Sequence, residues 1–283
     1  MPLYLVSTPI GNLEDITLRA VRILRDEVAL IACEDTRQTQ KLLEQYQIRK
    51  PLMSYHDHNE VTRTAEILQA LERGDSVALV SDAGTPLISD PGYRLVTAAV
   101  EKGFAVIPLP GPSAVLAALA ASGLPTDQFR FIGFLPPKAG AKRKLLEELA
   151  HETATVIAYE SPHRILETLS AMAEALGDRP LVLARELTKI HEEFLRGSAA
   201  SILEILEQRG SVKGEITLVI GGGGQQHVKI QDPLAEIAKL QNEAGLDRME
   251  AIKAVAKQMG LPKREIYRLT AERDTDAPGK RRG

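Results

Sequence analysis

The sequence is poor in the residues that build disulfide frameworks and aromatic cores. Its 283 residues include one cysteine, no tryptophan and only 4% aromatic side chains. The lone cysteine, Cys33, excludes an internal disulfide framework and favours a reducing compartment. Hydrophobic residues make up 44% of the chain, so the core must be built mainly from leucine, isoleucine, valine and alanine, as in many α/β proteins.

Long apolar runs and a strong net charge are also missing. No uninterrupted apolar stretch approaches the roughly 20 residues that span a bilayer, and the opening MPLYLVSTPIGN lacks the features of a signal peptide. The formal net charge of −3 gives no overall field toward nucleic acid or membrane. Metal-ligand spacings, a P-loop and a G-x-G-x-x-G fingerprint are absent from the sequence. We predict a cytoplasmic protein without a metal or a membrane segment.

Short apolar strands alternate with helical segments over most of the chain. The clearest strand, Val77–Val80, is followed by the loop SDAGTPLISDPG and by a helix from Tyr93. Repeated alternation of this kind is typical of a parallel α/β layer, and a second series follows the first. We predict two α/β domains, at residues 1–121 and 122–224, and a helical tail at 230–283.

The tail differs from the rest of the chain in charge. Residues 246–283 carry ten basic and six acidic side chains. Two predicted helices, Met249–Met259 and Lys263–Arg273, flank a Gly-Leu-Pro turn, an outline similar to a helix-turn-helix. This arrangement favours contact with nucleic acid, although a solvated charged face is the ordinary alternative.

Four predicted strands end in unusual polar loops: STPIGNLEDIT, ACEDTRQT, SDAGTPLISDPG and PGPSA. Ligands of open parallel sheets bind beyond the carboxyl ends of the strands, so these loops predict a small-molecule pocket. The last loop places Ser113 at the start of a helix, where free N–H groups suit a carboxylate or phosphate. A simple helix cap is the alternative for Ser113.

The order of these loops resembles the tetrapyrrole methylase superfamily. Its members are S-adenosylmethionine (SAM) methyltransferases with two α/β domains and the cofactor in the cleft between them. The segments CEDTR, GFLPPKAGAKRK, YESPHR and ARELTKIHEEFLRG are similar to the bacterial branch that methylates a cytidine 2′-hydroxyl in small-subunit ribosomal RNA. The resemblance runs from Leu3 to Ile220 and also implies a homodimer.

The resemblance further implies which residues hold the cofactor. Gly84-Thr85-Pro86 stands where the family has Gly-Asp-Pro, and the departure at Thr85 leaves Asp82 as the nearby carboxylate. The implied cofactor-binding residues are Asp82, Gly84, Thr85, Leu87, Ile88, Ser113, Ala114, Leu187 and Thr188.

A ribose hydroxyl is a poor nucleophile, so a base or a charge that favours the alkoxide should assist its methylation. Titratable side chains on the strand-end loops are the candidates, and the sequence does not rank them against a role in interdomain salt bridges. The first candidates for catalysis are Glu34, Asp35, Arg37 and Glu160, with Asp82, Arg164, Arg185 and Glu186 as further ones.

Two basic clusters are candidates for contact with RNA phosphates. One lies after the predicted strand ending at Phe134 and comprises Lys138, Lys142, Arg143 and Lys144; the other lies in the tail and comprises Lys253, Lys257, Lys263, Arg264 and Arg268. The leading hypothesis is a SAM-dependent ribose 2′-O-methyltransferase for a decoding-centre cytidine, acting on free rRNA or on the 30S subunit. The alternatives are a methylase of a small molecule such as a tetrapyrrole, and a ligand-sensing nucleic-acid-binding regulator.

Overall fold

The computed structural model describes residues 1–223 and 232–259, together with Arg264, Ile266 and Tyr267. The chain divides into two compact units, Met1–Gly221 and Gly222–Gly283. The predicted boundary between residues 121 and 122 falls inside the first unit, and the three-part division remains a prediction. The fold class is confirmed, because the first unit contains two sheets with helices packed on them.

The first sheet has five parallel strands in the order β3-β2-β4-β1-β5. They are β1 (Leu3–Val6), β2 (Leu30–Cys33), β3 (Leu52–Ser54), β4 (Val77–Val80) and β5 (Val106–Leu109). Alternate residues of β4 belong to two different apolar clusters, with Val80 in one and Leu79 in the other. Both faces of this strand are therefore covered, which explains its continuous apolar sequence.

Helices follow the strands of the first sheet. They are α1 (Leu18–Arg22), α2 (Thr36–Gln45), α3 (Glu60–Glu72), α4 (Tyr93–Glu101) and α5 (Ala114–Ser122). A π-helical turn, Ile23–Glu27, continues α1. Side chains cap several helix starts, as where Ser113 accepts a hydrogen bond from the amide of Leu116 at the start of α5.

The second sheet is mixed, unlike the parallel first sheet, and it belongs to the second α/β half predicted from the sequence. Its order is β6-β7-β10-β8-β9, and only β6 and β7 pair in parallel. The strands are β6 (Phe129–Phe134), β7 (Thr155–Glu160), β8 (Leu181–Arg185), β9 (Glu193–Gly197) and β10 (Ile216–Ile220), and the helices are α6 (Ala139–Leu149), α7 (Ile165–Leu176) and α8 (Ala199–Glu207). A short loop joins β8 to β9, which permits an antiparallel hairpin but no parallel crossover.

The second unit contains a helix pair, α9 (Pro233–Ala244) and α10 (Arg248–Met259). Its small apolar core includes Ile237, Ile252, Val255 and Ile266. The predicted helix Lys263–Arg273 lies outside the described residues except at three positions. In the parts of the chain that the structure describes, every helix is too short or too polar to cross a membrane.

Gly92 ends the loop after β4, immediately before α4, and packs closely against β4. Its φ is +135°, and a Cβ added there would lie 2.7 Å from Leu79 Cδ2. We predict that Gly92→Ala lowers the free energy of unfolding by about 2–4 kcal/mol, through strained backbone and overpacking together. Urea unfolding followed by circular dichroism measures this loss.

Gly103→Ala is the matched control. Gly103 also has a positive φ, +76°, but a Cβ there would meet nothing within 4 Å, so only the backbone strain of about 1–2 kcal/mol applies. Equal losses for the two variants would contradict a packing role for Gly92.

Candidate functional site

A cavity of about 430 Å³ lies in the first unit, at the carboxyl ends of strands from both sheets. Its wall is formed by the loops after β4 and β5, by the end of β7 and by the start of β10. The cavity brings together most of the predicted cofactor residues: Asp82, Gly84, Thr85, Ile88, Ser113 and Ala114. Its size is that of an ordinary small-molecule site.

Two backbone hydrogen bonds connect the loop after β1 to the loop after β4. The amide of Thr8 donates to the carbonyl of Gly84 (2.8 Å), and the amide of Gly84 donates to that of Thr8 (2.9 Å). The Thr8 hydroxyl adds a bond to the carbonyl of Ser81 (2.9 Å). Gly84 has a φ of +87°, a conformation that glycine adopts without strain, and this fixes the cavity floor.

The departure at Thr85 has a structural explanation. The Thr85 hydroxyl accepts a hydrogen bond from the Ser7 hydroxyl (3.1 Å) and donates to the carbonyl of Pro112 (3.3 Å). It therefore joins the loops after β1, β4 and β5. An aspartate could not make the donor half of this connection when ionised.

Three predicted cofactor residues do not line the cavity. Leu87 packs in the apolar cluster around Leu79, and Leu187 is buried in the cluster that contains Ile10. The Thr188 hydroxyl accepts from the amide of Asn12 (3.0 Å). These residues shape the loops around the cavity.

The loops around the cavity contain strained backbone. Leu87 and Ser89 have φ values of 73° and 64°, and Glu186 and Thr188 have values of 52° and 66°. Non-glycine residues with positive φ cost free energy and cluster at functional sites. Ser89 lines the cavity, and Glu186 is hydrogen-bonded to the lining residue Glu215, so this strain lies in and beside the cavity wall.

The cavity is acidic. Asp82, Asp90, Glu160 and Glu215 line it, and none of the described residues that line it is lysine or arginine. Burial raises the pKa of Asp90 from 3.8 to about 7, with added repulsion from Glu34 and Asp82. Burial, followed by repulsion from Asp90 and Glu215, raises the pKa of Tyr159 to about 12. Such a cavity suits a cationic ligand.

Asp90 was missed by the sequence analysis although it lies within the SDAGTPLISDPG loop. The only signal was its position two residues after Ile88, which was predicted to contact the cofactor. Its burial and its acidic neighbours come from the folded arrangement of two loops and cannot be read from one segment.

The predicted catalytic residues after β2 differ in their surroundings. Asp35 caps α2, accepts from the Arg37 amide (2.8 Å) and forms an ion pair with the Arg37 guanidinium (2.9 Å). These hydrogen bonds lower the pKa of Asp35 to about 2, so it is a weak base. Partial burial, with the nearby Asp82 and Asp57, raises the pKa of Glu34 instead. The Asp35 amide donates to Asp82 (2.9 Å), which places this segment beside the cavity loop.

Glu160 lines the cavity, but its carboxylate is saturated with hydrogen bonds. It accepts from the Ser161 amide, the Thr168 hydroxyl and the Arg164 guanidinium, each at 2.6 Å. This geometry favours a structural role over the predicted catalytic one. Arg164 is the partner in that contact, and the other two candidates also form ion pairs: Arg185 with Glu193 and Glu186 with Lys189.

Lys142 does not belong to the predicted basic surface. Only 1% of its side chain is exposed, and its Nζ donates to Glu167 and Thr168, at 3.1 Å each. Lys142 shares the inner face of α6 with Leu146 and Leu149, as the helical spacing of four and seven residues requires. Lys138, Arg143 and Lys144 are exposed as predicted.

The tail residues fall partly outside the described part of the chain. Lys253 and Arg264 are exposed. Lys263, Arg268 and the side chain of Lys257 lie outside the described residues.

Comparisons with known proteins agree with this arrangement. A family model described as Tetrapyrrole (Corrin/Porphyrin) Methylases matches residues 2–203. A protein of Halalkalibacterium halodurans named Ribosomal RNA small subunit methyltransferase I is 47% identical over 272 residues, which cover 94% of this chain and 93% of the relative. The chain belongs to this methyltransferase family, within the tetrapyrrole methylases. A Bacillus subtilis protein of the same name is 45% identical over 271 residues, covering 94% and 92%.

Solved structures show the same fold at low identity. Cobalt precorrin-4 methyltransferase matches with a TM-score of 0.58 and 17% identity, over 78% of this chain and 94% of that one. A uroporphyrin-III C-methyltransferase of Thermus thermophilus, solved with S-adenosyl homocysteine, matches with a TM-score of 0.53 and 19% identity, over 78% and 97%. The family resemblance drawn from the loops is confirmed, and SAM is the cofactor of the methyltransferase.

The raised pKa of Asp90 predicts a pH-dependent stability. The folded chain holds this proton up to about pH 7, whereas the unfolded chain releases it near 3.8. Stability is therefore lost as pH rises between these values. Asp90→Asn removes the penalty, and we expect its Tm to exceed the parent's by about 2–4 °C near pH 8, or about 1 kcal/mol, with little difference near pH 4.

Melting curves of the ligand-free protein at several pH values test this expectation. Asp127→Asn, which removes an exposed carboxylate, is the control. A pH-independent difference between Asp90→Asn and the parent would contradict the burial of an uncharged carboxyl.

Proposed function

We propose that this protein transfers a methyl group from SAM to the 2′-hydroxyl of a cytidine in small-subunit ribosomal RNA. The observation that carries the proposal is the near-complete alignment, at 47% identity, with a relative named for small-subunit rRNA methylation. The acidic cavity and the exposed cations at the start of α6, Lys138, Arg143 and Lys144, support it. We further propose a cytoplasmic homodimer.

The cavity residues fit SAM. The cofactor supplies an already activated methyl group on a cationic sulfonium, and four acidic side chains line the wall, including Asp82 and Glu215. Gly84 lines the cavity without a side chain, so a ligand can approach this loop closely, and its φ of +87° is one that glycine adopts without strain. Ser113 and Ala114 begin α5, whose amino end and free amides suit the cofactor carboxylate. These residues hold and orient the donor.

Positioning of the acceptor oxygen is the main task of the protein, since it is worth up to about 7–11 kcal/mol. Proton removal from a ribose hydroxyl needs a carboxylate that is both free and sufficiently basic. Glu34 meets both conditions, because it is exposed next to Asp35, whose amide donates to the cavity residue Asp82, and desolvation with the nearby Asp82 raises its pKa. Asp35 itself is held by Arg37. We assign Glu34 as the general base.

The rRNA would be held by exposed cations outside the acidic cavity. Lys138, Arg143 and Lys144 lie at the start of α6. In the second unit, taken by itself, Lys253 and Arg264 are also exposed. Phosphate contacts of this kind give affinity without reading sequence. A single-stranded target, with its ribose hydroxyl accessible, is the form of RNA that the site can receive.

Cells that lack the gene provide the direct test of the reaction. We predict that one cytidine of small-subunit rRNA loses its ribose methylation and regains it with the parent gene but not with Glu34→Gln. In purified enzyme, Glu34→Gln should lower kcat about 100-fold, the usual contribution of a general base, with SAM affinity by calorimetry unchanged.

Asp35→Asn is the matched comparison, because it alters the adjacent carboxylate, which is a weak base. Its kcat should fall less than about tenfold, below the range of a general base. An unchanged methylation map in the deletion strain would refute the rRNA proposal, and equal effects of the two variants would refute the assignment of Glu34.

The basic surface gives a second test. We predict that reversal of Lys138, Arg143 and Lys144 to glutamate weakens rRNA binding and reduces the salt slope by about 2, at about 0.7 per lost phosphate contact on a single strand. Deletion of residues 230–283 should also weaken RNA binding. Filter binding across a salt series measures both, and SAM affinity should stay at the parent value.

Lys102→Glu, compared with the single reversal Lys144→Glu, is the control for charge alone, since both make the same change of charge and Lys102 caps the carboxyl end of α4. An equal loss of RNA affinity in Lys102→Glu would show that net charge, rather than the α6 surface, determines binding.

A further inference from the structure

Two opposite charges are buried together between α6, β7 and α7. Lys142 is 1% exposed, Glu160 2% and Thr168 0%. A charge removed from water costs much free energy unless it is paired and hydrogen-bonded. Here the ammonium and the carboxylate are connected through the hydroxyl of Thr168.

The connection has a defined direction. A threonine hydroxyl has one hydrogen to donate and can also accept. Its Oγ1 donates to Glu160 Oε2 (2.6 Å) and accepts from Lys142 Nζ (3.1 Å). Because the ammonium can only donate, Lys142 holds the hydroxyl hydrogen toward the carboxylate.

The other oxygen of Glu160 fixes the wall of the cavity. Glu160 Oε1 accepts from the Ser161 amide and from Arg164 Nη2, both at 2.6 Å. Glu160, Ser161 and Pro162 line the cavity. The chain of contacts therefore runs from the inner face of α6 to the backbone that would face the cofactor.

Burial of the α6 face does not by itself require a charge at this position. The same face carries Leu146 and Leu149, and a methionine would fill a similar volume without desolvating an ammonium. The charge is explained if its hydrogen bonds to Thr168 and Glu167 are needed.

We propose that Lys142 is a positioning residue for the cofactor wall, acting through Thr168 on the carboxylate of Glu160. The inference rests on the proposed use of this cavity for SAM. It replaces the RNA contact predicted for Lys142 from the sequence, and it assigns the two sides of α6 to different ligands: the inner side to the cofactor and the outer side to RNA.

Calorimetry with SAM, on the full chain well below the lowest Tm, tests this role. Lys142→Met and Thr168→Val should each raise the Kd of SAM about tenfold, equivalent to about 1.4 kcal/mol. The double variant should bind no more weakly than the weaker single variant, because both changes interrupt one chain of contacts. Lys142→Arg keeps the charge, so its Kd of SAM should stay within about threefold of the parent value, which is less than half of the about 1.4 kcal/mol expected for Lys142→Met.

Lys144→Met separates the two sides of α6. Lys144 is exposed on the same helix, so its removal should weaken rRNA binding and leave the Kd of SAM unchanged. Lys142→Met should raise the Kd of SAM and leave rRNA binding unchanged.

Several results would overturn the inference. One is a Kd of SAM for folded Lys142→Met within about twofold of the parent value, a difference of less than about 0.5 kcal/mol. If the Tm of this variant fell while its Kd stayed so close, Lys142 would act on stability alone. Additive effects in the double variant, or loss of rRNA affinity in place of SAM affinity, would also contradict it. Failure of the parent itself to bind SAM would refute the proposed function of the cavity, and this inference with it.

Discussion

The paired backbone hydrogen bonds between Thr8 and Gly84 hold together two loops that leave neighbouring strands, β1 and β4. Parallel strands place their carboxyl ends at one edge but leave the loops beyond them without sheet hydrogen bonds. The Thr8–Gly84 pair supplies such bonds, and the Thr85 hydroxyl extends the connection to the loop after β5. With these loops fixed, Asp82 and Ser113 can face the same cavity.

Two electrostatic regions of opposite sign lie close together in the first unit. The cavity is lined by four acidic side chains, which favour a cation, whereas the start of α6 exposes Lys138, Arg143 and Lys144. Lys142, on the inner face of α6, is buried and donates hydrogen bonds to Thr168 and Glu167. A cationic cofactor and a polyanionic substrate can thus bind to one unit without competing for the same surface.

The sequence predicted the structure well where the residues of a single segment determine it. The apolar run Val77–Val80 and the polar loop after it predict a buried strand with a site at its end, and both are found. The sequence was misleading where the surroundings of a residue or a strand are supplied by other segments of the chain. Lys142 looks like part of a basic run, and only its spacing from Leu146 indicates the inner face. Asp90 owes its raised pKa first to burial and then to repulsion from Glu34, on the loop after β2, and from Asp82, on its own loop. The antiparallel orientation of β10 is set by its pairing with β7 and β8.

The strained backbone and the buried charges share one physical consequence. Positive φ at Leu87 and Thr188, and a desolvated carboxylate at Glu160, are each unfavourable in isolation. They persist because neighbouring contacts over-determine them: apolar packing for Leu87, the Asn12 amide for Thr188, and three donors for Glu160. A cavity built in this way is already ordered before the ligand binds. Less ordering free energy then has to be supplied by binding, and more remains to align the methyl donor with the acceptor oxygen.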